Sequence, residues 1–219
     1  MKAFLFAGSA ALMSILACSA PTAAADPLVL SDVSWVAEPT GGNKAALGRK
    51  TPGPVSFTVT HDAGTLACTG TLTRAFEGKG DCRFTSDPAF ERALGERGLV
   101  PDRRSTLLAM LLVDATIELA DGLTREGVRP KDADDLIAAA ALDVRPEYIR
   151  DLKSEALVLT EIEDAIACKA LGVDGAYVRV LAAAGYRKLS ADEVASMKAM
   201  GVTGEYAQAM NRAAVGISK

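Results

Sequence analysis

Two textures within one chain predict an α+β fold, in which a small antiparallel sheet module is followed by four 29-residue helical-hairpin repeats, a short α-solenoid. In residues 28–100, the runs LVLSDVSWVAE and PVSFTVTHDAGTLACTGTLT alternate apolar and polar side chains, the period of half-buried strands. Farther on, a phrase recurs. VRPEYIRDL at 144–152 returns as VDGAYVRVL at 173–181 and as VTGEYAQAM at 202–210, each copy 29 residues after the last. The division that follows is a leader over 1–25, a strand-rich module with one helix over 26–102, and four tandem repeats over 103–219.

Within the module, HDAG turns the chain between Val59 and Leu66, and the glycine- and proline-rich stretch from Pro39 to Pro54 reads as a loop. A second hairpin joins the run around Cys68 to the run around Cys82 through RAFEGKG. Its register puts Leu66, Cys68 and Leu72 on one face with Cys82 and Phe84. Two readings of the cysteines stand side by side there: a Cys68–Cys82 disulfide, favoured by an oxidising compartment, and two buried thiols. SDPAFERALGERGL reads as a helix capped by Asp87 with Pro88 in its first turn. The sheet then has one face covered by this helix or by the first repeat.

The repeat units run 103–131, 132–160, 161–189 and 190–218. The first is the faintest, with Asp114, Glu118, Leu119 and Leu123 standing where Asp143, Glu147, Tyr148 and Leu152 stand one unit later. Corresponding apolar columns are Leu107, Leu136, Ala165 and Val194; Val113, Leu142, Leu171 and Met200; and Leu123, Leu152, Leu181 and Met210. Each unit reads as two short helices. The first is capped by a residue such as Asp132 or Ser190, carries acids in its opening turn, and stops near Asp143, Gly172 or Gly201. The second opens with Pro146 at its first position, or with Asp174 or Thr203 as cap, and ends at Gly127 or Gly185. Helices of about ten residues are marginal alone in water, so each unit must bury its columns against its neighbours. Tyr148, Tyr177 and Tyr206, four residues before the leucine column, belong to that packing face; an aromatic ligand ladder is the competing reading.

The first 25 residues, with Lys2, an apolar run from Ala3 to Ala17 and small residues before Asp26, have the layout of a secretory signal. Two processing routes are open. Ala23-Ala24-Ala25 suits cleavage before Asp26 and a periplasmic product, whereas Ile15–Cys18 resembles a bacterial lipobox that leaves Cys18 lipidated and the protein membrane-anchored. Net charge −4 with interspersed signs argues against nucleic acid as a partner.

The stretch from Val55 to Leu99, followed by units carrying the valine–tyrosine phrase, resembles exported bacterial proteins in which a strand-rich module precedes tandem helical repeats. It is also similar to the carboxy-terminal extension of some membrane metallopeptidases of the beta-lactamase-sensor type, over roughly residues 54–215. The resemblance implies a non-catalytic extracytoplasmic module. The peptidase portion is absent, since no HExxH occurs, and no zinc protease activity carries over.

No catalytic, cofactor-binding or metal-ligating set is legible. His61 is the one histidine; it stands beside Asp62 at a strand end and reads as a turn cap. Cys168 aligns with Met110, Ala139 and Met197, a packed column, and reads as a buried free thiol. GKGD and PTGGNK lack the phosphate-cradling pattern. The expected function is binding of another envelope protein through the repeats, with a partner-facing patch at Val180, Ala182 and Ala183, where the second helix of the third unit turns from charged to apolar. Packing on the strand-rich module, or a merely tolerant alanine-rich helix, is the competing reading of that face. The alternative function is a periplasmic binder of a small molecule, lipid or glycan in a cleft lined by Trp35 and Phe57 between sheet and repeats, and an unrecognised hydrolase is the third.

Overall fold

The computed structural model describes residues 26–36, 47–155 and 157–217; the leader with Cys18 and the first half of the Pro39–Pro54 loop lie outside these residues. Strands β1 (Leu28–Val36), β2 (Gly53–His61), β3 (Gly64–Arg74) and β4 (Glu77–Ser86) form one antiparallel sheet in the order β1-β4-β3-β2. The β2–β3 hairpin turns between His61 and Gly64, and the β3–β4 hairpin between Arg74 and Glu77. Alternation along these strands sends one set of side chains to a common face: Val55 and Phe57 from β2, Leu66, Cys68 and Leu72 from β3, Cys82 and Phe84 from β4, all buried. In β1 the register shifts between Leu30 and Val33, where Asp32 takes a φ of 53° and its amide donates to Asp81 Oδ1 at 3.0 Å. This bulge reverses the strand's parity, so that Leu30 and Val33 both pack on the core.

Trp35 stands opposite Gly78 on β1, an edge strand, yet its ring lies 5.3 Å from that of Phe57 on the other edge strand, edge to face. The glycines make this reach possible. A Cβ at Gly70 would meet the indole at 2.7 Å, and one at Gly78 at 2.8 Å, so the absence of side chains at these sites clears a floor across the middle of the sheet. Cys68 and Cys82 are directly opposed on β3 and β4 and form a disulfide, with Sγ–Sγ 2.00 Å and Cα–Cα 4.1 Å.

The helices follow in a strict metre. Helix α1 spans Pro88–Glu96, α2 Arg104–Leu112, α3 Ile117–Arg125, α4 Ala133–Ala141, α5 Pro146–Ser154, α6 Ile162–Ala170, α7 Gly175–Ala183, α8 Ala191–Ala199 and α9 Gly204–Ile217. Even-numbered helices start 29 residues apart and stack in one row; odd-numbered helices do the same in a second row, α1 on α3, α3 on α5, α5 on α7 and α7 on α9. The sequence assigns α1 to the strand module. In the structure it opens the second row, Pro88 falling 29 residues before Ile117, Phe90 in the place of Leu119 and Tyr148, and Leu94 in that of Leu123 and Leu152. The sheet stands where an earlier first helix would be, and α2 packs against β3 and β4. It is therefore the first repeat that covers the apolar face.

Every first helix ends in the same corner. Asp114, Asp143, Gly172 and Gly201 hold positive φ between 53° and 74°, and the next residue's amide donates back to the carbonyl five residues earlier, as Val144 to Ala139 (2.8 Å) and Val173 to Cys168 (2.9 Å). Glycine adopts this conformation freely and aspartate tolerates it through its short polar side chain, which explains why these two types share the column. The corner residues Ala115, Val144 and Val173 are buried. Helix starts obey the expected capping: Asp132 accepts from Asp135 N, Asp174 from Tyr177 N, Thr203 from Tyr206 N, and Ser190 forms a capping box with Glu193.

One sequence column behaves differently. Val113, Leu142, Leu171 and Met200 are the helix C-caps, and Leu142, Leu171 and Met200 are exposed at 37, 40 and 73 %. The left-handed residue that follows turns the chain inward one position later, leaving the cap on the outer side.

Leu152 and Leu181 are fully buried between the rows. Replacing either with alanine is expected to cost about 2–5 kcal/mol and to melt the array cooperatively, measured by thermal or denaturant unfolding. Non-reducing peptide mapping is expected to join Cys68 to Cys82 and to find Cys168 alkylated only after unfolding. Closing a loop of 14 residues contributes about 3 kcal/mol in the chain-entropy picture, so reduction lowers the unfolding midpoint; two free hairpin thiols in native protein would remove this contribution.

Candidate functional site: the repeat junctions and their outer clefts

What a junction between units uses for stacking, and what it leaves over, defines the surface on which this chain can act. Tyr148 donates its hydroxyl to Val173 O at 2.8 Å and Tyr177 to Val202 O at 2.9 Å, so each tyrosine is bound to the corner of the following unit. A lysine from that unit lies over each ring, Lys169 at 4.7 Å from the Tyr148 centroid and Lys198 at 4.3 Å from that of Tyr177. Burial raises both phenol pKa values above the ordinary tyrosine range. Tyr148 and Tyr177 are clamps between neighbours, whereas Tyr206, expected on the same packing face, is 56 % exposed.

A second device recurs at the same interval. Arg97 pairs with Asp121 through two hydrogen bonds of 2.6 and 2.7 Å, Arg150 with Glu126 at 3.3 Å, and Arg179 with Glu155. Residues 97, 126 and 155 are one column and 121, 150 and 179 another, so the signs reverse after the first pair while the bridge persists. The Arg97 hydrogen bonds hold the Asp121 carboxyl below the usual range. Side by side in the sequence these columns carry a legible signal, a charge at 29-residue intervals facing its opposite 24 residues on; the repeat reading, drawn from apolar positions, misses it.

A third column matches small to large. The sixth residue of one second helix meets the first residue of the next: Gly122 against Pro146, Asp151 against Gly175, Val180 against Gly204. A Cβ on Gly204 would come within 2.0 Å of Val180 Cγ1, and Asp151 Oδ2 accepts from Gly175 N at 3.0 Å.

The sequence-predicted patch is therefore divided. Val180 is 42 % exposed with its inner side against Gly204, Ala183 is exposed, and Ala182 is half-buried and lines a cleft between α5 and α7. That cleft encloses about 400 Å³, with Leu157, Val178, Ala182 and Leu189 as apolar lining and Arg187 and Lys188 at its rim. A cleft of about 240 Å³ between α1 and α3 is its counterpart two units earlier, with Leu99 for Leu157, Ala120 for Val178, Thr124 for Ala182 and Arg129 for Arg187. A third, of about 550 Å³, continues from Arg129 and Pro130 to Lys131, Thr160 and Glu161. Lys131 bridges Glu161 at 2.6 Å and Glu163 at 2.7 Å, and these bonds raise its pKa above the lysine range.

His61 does not face its own turn: Nδ1 lies 2.8 Å from Asp114 Oδ1, tying the end of β2 to the corner of the first repeat. Trp35 and Phe57 pack on each other. Cys168 is fully buried, its Sγ 3.9 Å from Ala191 O, and burial pushes its thiol up to about 11. Among the described residues no group of three or more His, Cys, Asp or Glu is placed to hold a metal ion, and no helix is long and apolar enough to cross a membrane. Comparison with protein-family models, with curated proteins and with solved structures finds no match to the chain.

Cys168 stays protonated in the folded chain where the unfolded thiol ionises. Its raised folded pKa means that its contribution to stability is whole below about pH 9 and is lost as pH rises through about 11. Cys168→Ala, which copies Ala139 of the second unit, is expected to lose less stability than wild type between those values, as read from denaturant midpoints at each pH.

Proposed function

We propose that this protein is a non-catalytic extracytoplasmic interaction module, exported through a cleaved signal peptide, that binds another envelope protein through its helical repeats. The observation that carries the reading is the division of labour along the repeats. Tyrosine clamps, ion pairs and small–large contacts consume the faces between units, whereas the outer side of the second row keeps clefts and apolar area that the stacking leaves uncovered: Val158 is 61 % exposed, and Val180 stays 42 % exposed beside its contact with Gly204. Exposed apolar positions on a charged surface mark interaction sites, and stacked repeats present them as an extended surface. The Cys68–Cys82 disulfide suits an oxidising compartment, which supports the extracytoplasmic placement. The partner-facing patch is assigned to the third unit, at Val180, Ala182 and Ala183.

The test is the double variant Val180→Glu with Ala183→Lys. Unchanged circular dichroism and melting with lost capture of an envelope partner is the expected result. Retained capture removes the patch, and a collapsed melting curve shows that Val180 serves the α7–α9 contact alone.

A further inference from the structure

Resting on that interaction-module reading, we propose that the outer edge formed by the linkers after the second helices is a docking track for an extended segment of the partner protein, carrying two carboxylates about six residues apart with apolar side chains between them. The track begins with a column of exposed side chains, whose ties to the fold run through backbone atoms: Arg129 donates to Arg97 O, and the Val158 backbone bridges Ser190. After each second helix one residue turns inward, Leu99, Val128, Leu157 or Tyr186, and the next points out: Val100, Arg129, Val158 and Arg187, 29 residues apart and all exposed. Valine and arginine alternate along it. Val100 is 64 % and Val158 61 % exposed, so neither is held there by packing.

Charge selects the occupant. The carboxylates along this edge already face cations, Glu96 and Arg97 at 3.9 Å, Glu155 with Arg179 and Glu161 with Lys131. The cations of the column share the clefts with those carboxylates but form no ion pair with them among the described residues. Arg187 and Lys188 have no ion pair among the described residues, and the Arg129 guanidinium donates only to a backbone oxygen, Arg97 O, at 2.6 Å. Two cations separated by an exposed valine, beside clefts with apolar lining, complement a chain of the pattern acid–apolar–acid. Neighbouring helices pack about 8–10 Å apart, so two units separate Arg129 from Arg187 by about 18 Å, and an extended chain at about 3.3 Å per residue covers that in about six residues. Side chains of such a segment enter the clefts beside Leu157 and Leu189; a bilayer surface does not.

The test uses the full chain and a fluorescent seven-residue peptide with glutamate at its first and last positions and valine and leucine within, followed by anisotropy. A second peptide has glutamine at both ends, and a third brings the two glutamates to three residues apart. The first is expected to bind about tenfold more tightly than the second, the size two surface charge contacts provide, and more tightly than the third. Arg187→Glu is expected to abolish the preference, with Arg187→Gln as the second variant should charge reversal lower the melting temperature, and Val158→Asp to weaken the first peptide. Equal binding of the glutamate and glutamine peptides, no binding, or a preference that survives both Arg187 variants overturns the track. Phosphatidylglycerol vesicles form the remaining arm: binding to them that depends on Arg187, without discrimination among peptides, assigns the edge to a membrane and also overturns it. Partner capture that persists in Arg187→Glu while the peptide preference is absent overturns the track alone and leaves the interaction-module reading standing.

Discussion

The constraint on which the array depends is the shortness of its helices. Apart from α9, each helix spans nine residues, two and a half turns, at which length backbone hydrogen bonding in water does not offset the cost of ordering the chain. Each must end abruptly and be held by something outside itself. The left-handed corner supplies the end, since a single residue at positive φ lets two amides return to the carbonyls the helix leaves open. The corner also supplies the hold: Val173 and Val202, whose amides close the first helix, present the carbonyls that the tyrosines of the preceding unit bind, so the residue that stops one helix clamps its neighbour. Termination and stacking are one device at these two junctions, where a unit of another length would move the corner away from its tyrosine.

Much of this was legible because it repeats. Capping by Asp132, Asp174, Thr203 and Ser190, the corners at Asp143, Gly172 and Gly201, and the buried leucine column all rest on local chemistry that one unit shows and the next restates. The strand pairing that opposes Cys68 and Cys82 was legible for a related reason, since the parity of two short strands leaves few registers. What escaped lies where a column changes chemistry. The inter-unit bridge reverses sign between Arg97–Asp121 and Glu126–Arg150, so a search for like residues in a column passes over it. Helix α1 keeps the metre but replaces tyrosine with Phe90 and joins the strands directly, so its sequence speaks for the sheet while its packing serves the repeats. The exposure of Leu142 and Leu171 escaped because an apolar C-cap and an apolar core position look alike in one dimension.

The sheet solves a problem that a stack of hairpins raises at its first unit. A repeat without a predecessor exposes the face meant for stacking. Here β3 and β4 offer α2 a broad apolar surface, and the His61–Asp114 pair fixes the end of β2 to the first corner. That surface needs its own width, which the chain secures by the bulge that keeps Leu30 and Val33 on one face and by glycines that let Trp35 cross to Phe57. The disulfide sits in the same face, two residues from the glycine floor, where the strands have least side-chain packing of their own.

In the proposed interaction module, recognition falls to whatever the stacking does not use, and the columns say which residues those are. A position whose neighbour changes in concert, Gly122 with Pro146, Asp151 with Gly175, Val180 with Gly204, answers to the next unit. Val180 is therefore partly spoken for, and its exposure of 42 % is what remains after α9 has taken its side of the contact. Arg129, Val158 and Arg187 each follow an anchor that already satisfies the fold and are exposed, tied to it through backbone contacts with Arg97 O and, at Val158, Ser190. Freedom from packing leaves their chemistry open to selection by something outside the chain, and the cations among them lack the carboxylates that the other inter-unit columns provide. The outer edge is thus the part of the array whose surface chemistry the stacking explains least.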